Sequence, residues 1–314
     1  MINFFDHLYT CTVVKNQNKF LIKIRIYSLL RFFIRIFTNA ALPLYFYITR
    51  NNPNYKLLDN SENSGRYIVS LTSFPARIKR VWLVIETILR QTHKPDKIIL
   101  WLSREQFCDT TAIPKNLLKL KKRGLDIRIC DGDIKSHKKY FYAFQEFSKD
   151  NIITIDDDVF YNTNILKYLI DTHLSYPNAV ICNHAKYVTF SQNNLMPYSE
   201  WEKAKTFEKN KTNNIAIGIG GILYPPNALD NDIFNMNLFK ENCFYADDIW
   251  LYVMEKLNST PIIKTNYYSL YLPVLNKHNT TLESSNVVQG LNDEQIKNIR
   301  NHYIKTRQKD PFLL

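Results

Sequence analysis

The chain has 314 residues, 45% of them hydrophobic and 14% aromatic, and it carries a formal net charge of +12 at pH 7. A chain of this length can bury a full core and exceeds one minimal domain, which favours one large α/β domain with appendages. Its five cysteines are widely scattered and form neither a Cys-x-x-Cys pair nor a Cys/His cluster. This pattern excludes a zinc site and fits a reduced, cytosolic setting.

Most of the positive charge lies near the N-terminus, where no acidic residue occurs between Asp6 and Asp59. The segment 20–37 is mainly apolar but contains charges, so it lacks the charge-free run of roughly 18 residues that a membrane-spanning helix needs. At about 100° per residue, four basic residues in or beside it fall within one half of the helical circumference: Lys19, Lys23, Arg31 and Arg35. We therefore expect residues 1–50 to form a basic amphipathic arm on an anionic membrane surface, or else a helix packed on the protein's own body.

Further signals bound this arm. Pro43 is expected to interrupt it before the aromatic segment 44–48. A secretory signal peptide is not expected, because Asp6 and His7 stand where a basic start would be and no small-residue cleavage site follows. The polar segment 51–66 is predicted to be a linker, followed by the main domain over 67–305 and a tail over 306–314.

After the linker, short apolar runs alternate with helical periods, which is typical of an α/β domain. The pattern predicts strands over 67–71, 97–102, 126–130, 152–155 and 179–182, and between them helices over 78–89, 114–121, 138–147 and 164–174. Residues 184–215 are polar and mixed, as expected of substrate-binding loops. Two late helices are predicted, over about 247–257 and about 293–304.

Three consecutive aspartates follow the apolar run 152–155: Asp156, Asp157 and Asp158. Because strand side chains alternate, Asp156 and Asp158 are expected to point one way and Asp157 the other. Such a pair offers hard oxygen ligands for Mg2+ or Mn2+ at the carboxyl end of a strand, where open α/β sheets bind ligands. A solvated acidic turn is the alternative.

Three glycines lie within four residues, at Gly218, Gly220 and Gly221. Their spacing indicates positive φ or backbone pressed against a ligand, or else a tight turn between buried segments. It matches neither a P-loop nor the dinucleotide-binding spacing.

Two charged pairs lie near predicted helix starts. Asp247 and Asp248 open a late helix, where they form either a second carboxylate pair for the site or an N-cap. Lys138 and Lys139 follow the third strand, from where their ammonium groups could reach a diphosphate. A solvated helix face is the alternative for either lysine.

These passages together resemble the bacterial glycosyltransferases of the GT-A type, specifically a group of cell-envelope polysaccharide or lipopolysaccharide sugar transferases. The likeness covers nearly everything from residue 67 to residue 304. It rests on seven ordered motifs: IVSLTSFPARI (68–78), IETILRQTHKPDKIILWLS (85–103), KKY (138–140), IDDDVFY (155–161), GIGGILYPP (218–226), ADDIWL (246–251) and NDEQ (292–295).

The resemblance implies a Rossmann-like GT-A sandwich that binds a nucleotide-diphospho-sugar, with Mn2+ or Mg2+ held by an Asp-x-Asp motif, here Asp156 and Asp158. The third aspartate departs from that motif and leaves its register open. The candidate residues for nucleotide-sugar binding are Thr72, Ser73, Arg77, Asp131, Asp133, Lys138, Lys139, Asp156, Asp157, Gly220 and Gly221.

Further candidates are less specific. Tyr198, Trp201 and Trp250 are possible sugar-stacking residues, although aromatics at such positions are more often part of a core. His278 is a conceivable third metal ligand, with an ordinary surface histidine as the alternative.

In the implied reaction, a divalent cation and the lysines neutralise the charge that grows on the departing nucleoside diphosphate. Asp248 or Asp247 accepts the proton of the acceptor hydroxyl in an inverting reaction, or orients the acceptor in a retaining one. The expected acceptor is a cell-envelope glycan or a lipid-linked sugar. It would be met by a protein bound peripherally to the cytoplasmic face of the plasma membrane.

Two other functions fit part of the pattern: a nucleotidyltransferase with carboxylate-bound Mg2+, and a non-catalytic membrane-surface protein. Nucleotidyltransferases usually carry a glycine-rich basic loop after the first strand, whereas this chain has SLTSFPAR (70–77) there. Two acidic clusters and a glycine cluster in matching order argue against a non-catalytic role. Nucleic-acid binding is not expected, because the basic excess lies on an apolar arm.

Overall fold

A computed structural model of the chain describes residues 1–12, 25–57, 65–108, 112–192, 194–204, 213–276 and 290–314. The strands in this part of the chain are β1 (Tyr67–Thr72), β2 (Lys97–Ser103), β3 (Leu125–Cys130), β4 (Asn151–Thr154), β5 (Val159–Phe160), β6 (Val180–Cys182), β7 (Ala185–Tyr187), β8 (Phe190–Ser191), β9 (Asn194–Leu195), β10 (Asn214–Ala216), β11 (Ile222–Tyr224), β12 (Ile262–Lys264) and β13 (Leu272–Pro273). The α-helices are α1 (Ile2–Cys11), α2 (Ile26–Thr49), α3 (Val81–Leu89), α4 (Lys115–Lys119), α5 (Lys138–Glu146), α6 (Ile165–Ser175), α7 (Met236–Asn242), α8 (Asp247–Leu257) and α9 (Leu291–Arg307).

A mostly parallel sheet of seven strands forms the centre of the domain, in the order β3-β2-β1-β4-β11-β6-β12. Only β11 runs against its neighbours within this sheet, pairing antiparallel with both β4 and β6. The predicted α/β fold is therefore confirmed, and so is the presence of N-terminal helix. The strand order reverses beside β1, which places a ligand-binding crevice at the carboxyl ends of β1 and β4.

Helices cover both faces of this sheet because alternate strand residues point to opposite sides. In β1, Val69 and Leu71 belong to the apolar cluster that includes Val84 of α3, whereas Ile68 packs with Ala143 of α5. Strands buried on both faces read as continuous apolar runs, which explains why β1 and β2 were readily predicted. A second large core joins α7, α8 and α9 to the β6 and β11 side of the sheet.

The helix predicted over 78–89 begins later, at Val81, after a turn that includes Arg77 and Ile78. The short strands β5, β11, β12 and β13 and helix α7 were not predicted. Each of these strands has two or three residues, too few to show a two-residue period in the sequence.

The helix α2 corrects the expectation that Pro43 interrupts the N-terminal arm, because it continues through Pro43 to Thr49. A proline inside a helix removes one hydrogen bond and costs about 3 kcal/mol. Leu42 and Phe46, on either side of it, are fully buried, and their packing offsets this cost. By length and composition α2 is long and apolar enough to cross a membrane.

The inner faces of α1 and α2 pack on the protein's own body. In α1, Asn3 Nδ2 donates to Thr163 Oγ1 at 2.8 Å, and the Asp6 side chain is buried. The C-terminal residues also contact the domain, since Phe312 is 1% exposed and packs against Tyr252. The predicted division into arm, linker, domain and tail stays a prediction.

The second core contains a buried carboxyl group. Glu255 is 1% exposed, and neither of its carboxyl oxygens has a hydrogen-bond partner in the described residues. Burial, assisted by the nearby Asp248, raises the pKa of Glu255 from its ordinary 4.5 to about 8. The folded protein therefore holds a proton here that the unfolded chain has already released at neutral pH.

We predict that Glu255→Gln removes a pH-dependent loss of stability. In the wild type, stabilisation by the bound proton is fully present below about pH 4.5 and is lost as the pH rises through about 8. The variant has no carboxyl group to ionise, so its melting temperature relative to wild type should rise by several degrees between about pH 6 and about pH 9. The exposed Glu294→Gln is the matched control. A difference that is constant across this range would show that Glu255 is ionised in the folded state.

Candidate functional site

The candidate site lies where the carboxyl ends of β1 and β4 meet. These strands pair in parallel with Ser70 opposite Thr154, so the chain leaves the sheet at adjacent points. Ser73 and Arg77 follow β1, and the three aspartates follow β4. The sheet topology thus brings two predicted groups of residues to the switch point.

Asp157 is the buried member of the acidic triplet. It accepts a hydrogen bond from Ser73 Oγ at 2.6 Å and one from Arg77 Nη1 at 2.7 Å. The Arg77 guanidinium also reaches Asp158 Oδ2 at 3.0 Å. Burial raises the pKa of Asp157, and Arg77 opposes this effect. These contacts fasten the loop after β1 to the acidic triplet.

The predicted alternation of the three carboxylates is not observed. β4 ends before the triplet, so the two-residue period of a strand does not apply to it. Asp157 and Asp158 share Arg77, and Asp156 turns to Lys139. The Asp156 and Asp158 side chains are 32% and 27% exposed, against 7% for Asp157. Asp156 and Asp158 are nevertheless the accessible pair.

Lys139 joins the triplet to the carboxylate pair at the start of α8. Its Nζ lies 2.8 Å from Asp156 Oδ1 and 2.9 Å from Asp247 Oδ2, and its side chain is 5% exposed. The two oxygens of the neighbouring Asp248 accept from the Gly218 backbone N–H at 3.1 and 3.2 Å. Carboxylates from two distant parts of the chain thus meet around one ammonium group.

Gly218 lies between these charged groups. A Cβ at this position would stand 3.0 Å from Lys139 Nζ, 3.1 Å from Asp248 Oδ1 and 3.4 Å from Asp156 Oδ1. A side chain here would therefore press on the ends of all three. The absence of a side chain allows the turn over 218–220 to approach the carboxylates closely.

The other two glycines serve the turn itself. Gly221 has a φ of +82°, which favours glycine, and a Cβ on Gly220 would lie 2.6 Å from the Tyr271 hydroxyl. Tyr271 also contacts the His184 ring edge to face. The sequence analysis missed both residues. The position of His184 just after β6 was a usable signal, whereas nothing in the sequence pointed to Tyr271.

The carboxyl groups around Lys139 differ in their ionisation. Burial disfavours the charged form of Lys139, but Asp156, Asp247 and Asp248 outweigh it and hold the lysine pKa well above its ordinary value. For Asp247, Lys139 outweighs burial and lowers the pKa. Burial and the adjacent Asp247 raise the pKa of Asp248 to about 8. Two neighbouring carboxyl groups with divergent pKa values can take different acid–base roles.

The oxygen donors at the site fit Mg2+ or Mn2+. Mg2+ is commonly held by one or two carboxylates together with substrate phosphates, and Asp156 and Asp158 are two partly exposed carboxylates in one loop. No group of three or more His, Cys, Asp or Glu side chains that could hold a metal occurs in the described residues. The protein would therefore supply part of the coordination and a bound diphosphate the rest.

Some predicted binding residues have other partners. Thr72 Oγ1 donates to the Trp101 carbonyl at 2.9 Å. Lys138 pairs with Asp133 rather than with the acidic triplet. Asp131 is highly exposed and pairs with Arg104 at 2.7 Å.

The aromatic candidates for sugar stacking lie in the core. Trp250 is fully buried, and Trp201 and Tyr198 are 3% and 8% exposed. The ordinary core interpretation therefore describes them better. His278 lies outside the described residues.

Comparisons with known proteins give distant structural similarities. No family model matches the chain, and no curated protein matches it. The mannosyltransferase PcManGT from Pyrobaculum calidifontis, in complex with GDP-Man and Mn2+, is similar with 9% identity and a TM-score of 0.47, over 89% of this chain and 77% of that one. S. aureus TarS 1–349 in complex with UDP-GlcNAc is similar with 11% identity and a TM-score of 0.45, over 77% of this chain and 73% of that one.

A 4-diphosphocytidyl-2C-methyl-D-erythritol synthase is also similar, with 12% identity and a TM-score of 0.38, over 66% of this chain and 93% of that one. These neighbours include both glycosyltransferases and an enzyme of another kind, and all of them are remote. The reaction is therefore inferred from the residues of the site.

We predict that the three aspartates separate into one structural residue and two accessible ones. Asp157→Asn should destabilise the fold by about 1–3 kcal/mol, because the buried Ser73 and Arg77 lose their ionised acceptor. Asp156→Asn and Asp158→Asn should each stay within about 0.5 kcal/mol of wild type. Urea denaturation of the three variants measures this. Equal losses at all three positions would contradict the distinction.

Proposed function

We propose that the protein is a metal-dependent glycosyltransferase of the GT-A type. It moves a sugar from a nucleotide-diphospho-sugar to a hydroxyl of a cell-envelope glycan or lipid-linked acceptor. The observation that carries this proposal is the Lys139 ammonium, which joins Asp156 of the triplet to Asp247 of the α8 start at the switch point. This arrangement suits a metal-bound diphosphate on one side and an acceptor hydroxyl on the other.

On the donor side, Asp156 and Asp158 would hold Mn2+ or Mg2+ together with the diphosphate. When bound, the cation supplies stabilisation of the negative charge on the departing nucleoside diphosphate. Arg77 and Lys139 are the protein's own cations at this crevice, and each already binds carboxylates there. Charge-assisted hydrogen bonds from such groups suit phosphate oxygens. The loop over 72–77 orients the nucleotide.

On the acceptor side, Asp248 is the better placed general base. The Gly218 N–H binds both of its oxygens and so fixes the orientation of the carboxylate. Its raised pKa, about 8, lies near the range in which a base works most effectively at neutral pH. In an inverting reaction it removes the proton of the acceptor hydroxyl, and in a retaining reaction it orients the acceptor. Asp247 holds Lys139 in place.

The proposal includes a peripheral position on the cytoplasmic face of an anionic membrane. The outer faces of α1 and α2 expose large apolar side chains: Phe4, Leu8, Leu29, Leu30, Phe32, Phe33, Ile36, Phe37, Leu44, Tyr47 and Ile48. We call this surface the apolar face. Leu42 and Phe46 lie in the core, so α2 lies along the domain rather than across a bilayer. Basic residues near an anionic surface contribute on the order of 1 kcal/mol each.

The first test of the function is joint stabilisation by metal and nucleotide. UDP or GDP together with Mn2+ should raise the melting temperature more than either component alone, because only the complete site binds both. Asp156→Ala and Asp158→Ala should abolish the Mn2+-dependent part while leaving the ligand-free melting temperature unchanged. Asp171→Ala, an exposed aspartate on α6, is the control. Full turnover of a metal-free preparation in EDTA would sink the metal requirement.

The second test concerns the carboxylates of α8. Asp248→Asn should lower turnover of the active nucleotide-sugar by about 100-fold or more, since a general base is lost. Affinity for the nucleoside diphosphate should stay nearly intact. Mass spectrometry of a nucleotide-sugar panel measures turnover, and calorimetry measures the affinity. If Asp248→Asn and Asp247→Asn both keep wild-type turnover, the pair is only a helix cap.

A further inference from the structure

The apolar face has a charge pattern that matches one kind of partner. α2 contains Arg31 and Arg35 but no acidic residue, and Arg25 and Arg50 flank it. Phe33 and Phe37 are 58% and 64% exposed. Exposed aromatic and aliphatic side chains beside arginines, without any carboxylate, complement the surface of an anionic bilayer.

The inner side of the same helices grips one segment of the main domain, residues 267–276. On α1, Asp6 accepts from Ser269 Oγ at 2.6 Å and from the Tyr267 hydroxyl at 3.2 Å. On α2, the Asn39 side chain donates to the Pro273 carbonyl at 3.0 Å and accepts from the Leu275 N–H at 2.8 Å. Asn39 therefore binds an extended backbone through both ends of its amide, much as a neighbouring strand would.

The gripped segment reaches the acidic triplet directly. Between the two residues bound by Asn39, the Val274 N–H donates to the Asp158 carbonyl at 2.7 Å. The strand β13 also pairs antiparallel with β5, which begins immediately after Asp158. The backbone of the acidic triplet is thus held by a segment that α2 holds in turn.

We propose that Asn39 is a positioning residue that couples binding of an anionic bilayer on the apolar face to the arrangement of Asp158. Docking of the apolar face steadies α2, α2 holds residues 273–275 through Asn39, and Val274 fixes the backbone at Asp158. The inference rests on the proposed function for its catalytic meaning. Coupling of this kind is reciprocal, so bilayer binding and nucleotide–Mn2+ binding strengthen each other by the same factor.

The experiment uses the full chain with vesicles of phosphatidylcholine, with or without phosphatidylglycerol. Wild type should sediment with the anionic vesicles, less at high salt but still measurably, because the apolar part is insensitive to salt. These vesicles should slow hydrogen exchange at the Val274 amide. They should also tighten binding of UDP or GDP with Mn2+ by about fivefold or more.

Two kinds of variant separate the steps. Asn39→Ala should still bind the vesicles, but the vesicles should no longer change exchange at Val274 or nucleotide affinity. Asn39→Asp keeps the acceptor for Leu275 and should restore part of both effects. The double variant Leu30→Glu with Phe33→Glu should lose vesicle binding and keep the vesicle-free nucleotide affinity. Asn301→Ala, an exposed asparagine on α9, is the control and should behave as wild type.

The inference is overturned if wild type does not bind anionic vesicles, if vesicles leave exchange at Val274 unchanged, or if Asn39→Ala retains their effect. Failure of UDP and GDP with Mn2+ to bind under every condition would instead remove the proposed function. The exchange measurement does not depend on nucleotide, so it decides the coupling in that case as well.

Discussion

The burial of Lys139 is the constraint on which the rest of the site depends. An ammonium group with 5% of its side chain exposed is costly to desolvate unless carboxylates surround it. Lys139 lies in the first turn of α5, soon after β3, whereas its partners come from the chain after β4 and from the start of α8. The folded chain tolerates this group only if all three segments arrive at one point. The crevice is therefore fixed by the same interaction that the proposed chemistry uses.

Negative charge nevertheless exceeds positive charge at this point. In the described part of the crevice, the cations Arg77 and Lys139 face a larger number of carboxyl groups: Asp156, Asp157, Asp158, Asp247 and Asp248. Burial together with this repulsion raises the pKa of Asp158 to about 7 and that of Asp248 to about 8. A site in this condition gains free energy from binding a cation, as expected where function is favoured over stability.

The sequence predicted the parts of the fold that carry a strong local pattern. β1 to β4 are apolar runs beside helices with a clear period, and the structure has them within a few residues of the expected bounds. β11 was beyond reach, because its place between β4 and β6 is decided by tertiary pairing and three residues carry no period. The residue types of the site were predictable, but their pairing was not. The buried role of Asp157 depends on Ser73 and Arg77, which lie far from it in sequence.

The N-terminal helices illustrate why such pairings escape a local pattern. Asn39 carries no local signal of a contact with Pro273 and Leu275, which lie more than 200 positions along the chain. Pro43 is four residues after Asn39, so it removes the usual helical donor for the Asn39 carbonyl. The helix is therefore weakened at the turn whose side chain grips β13, and the burial of Leu42 and Phe46 compensates. A proline that sequence reasoning treats as a helix breaker instead lies at the point where α2 meets the catalytic domain.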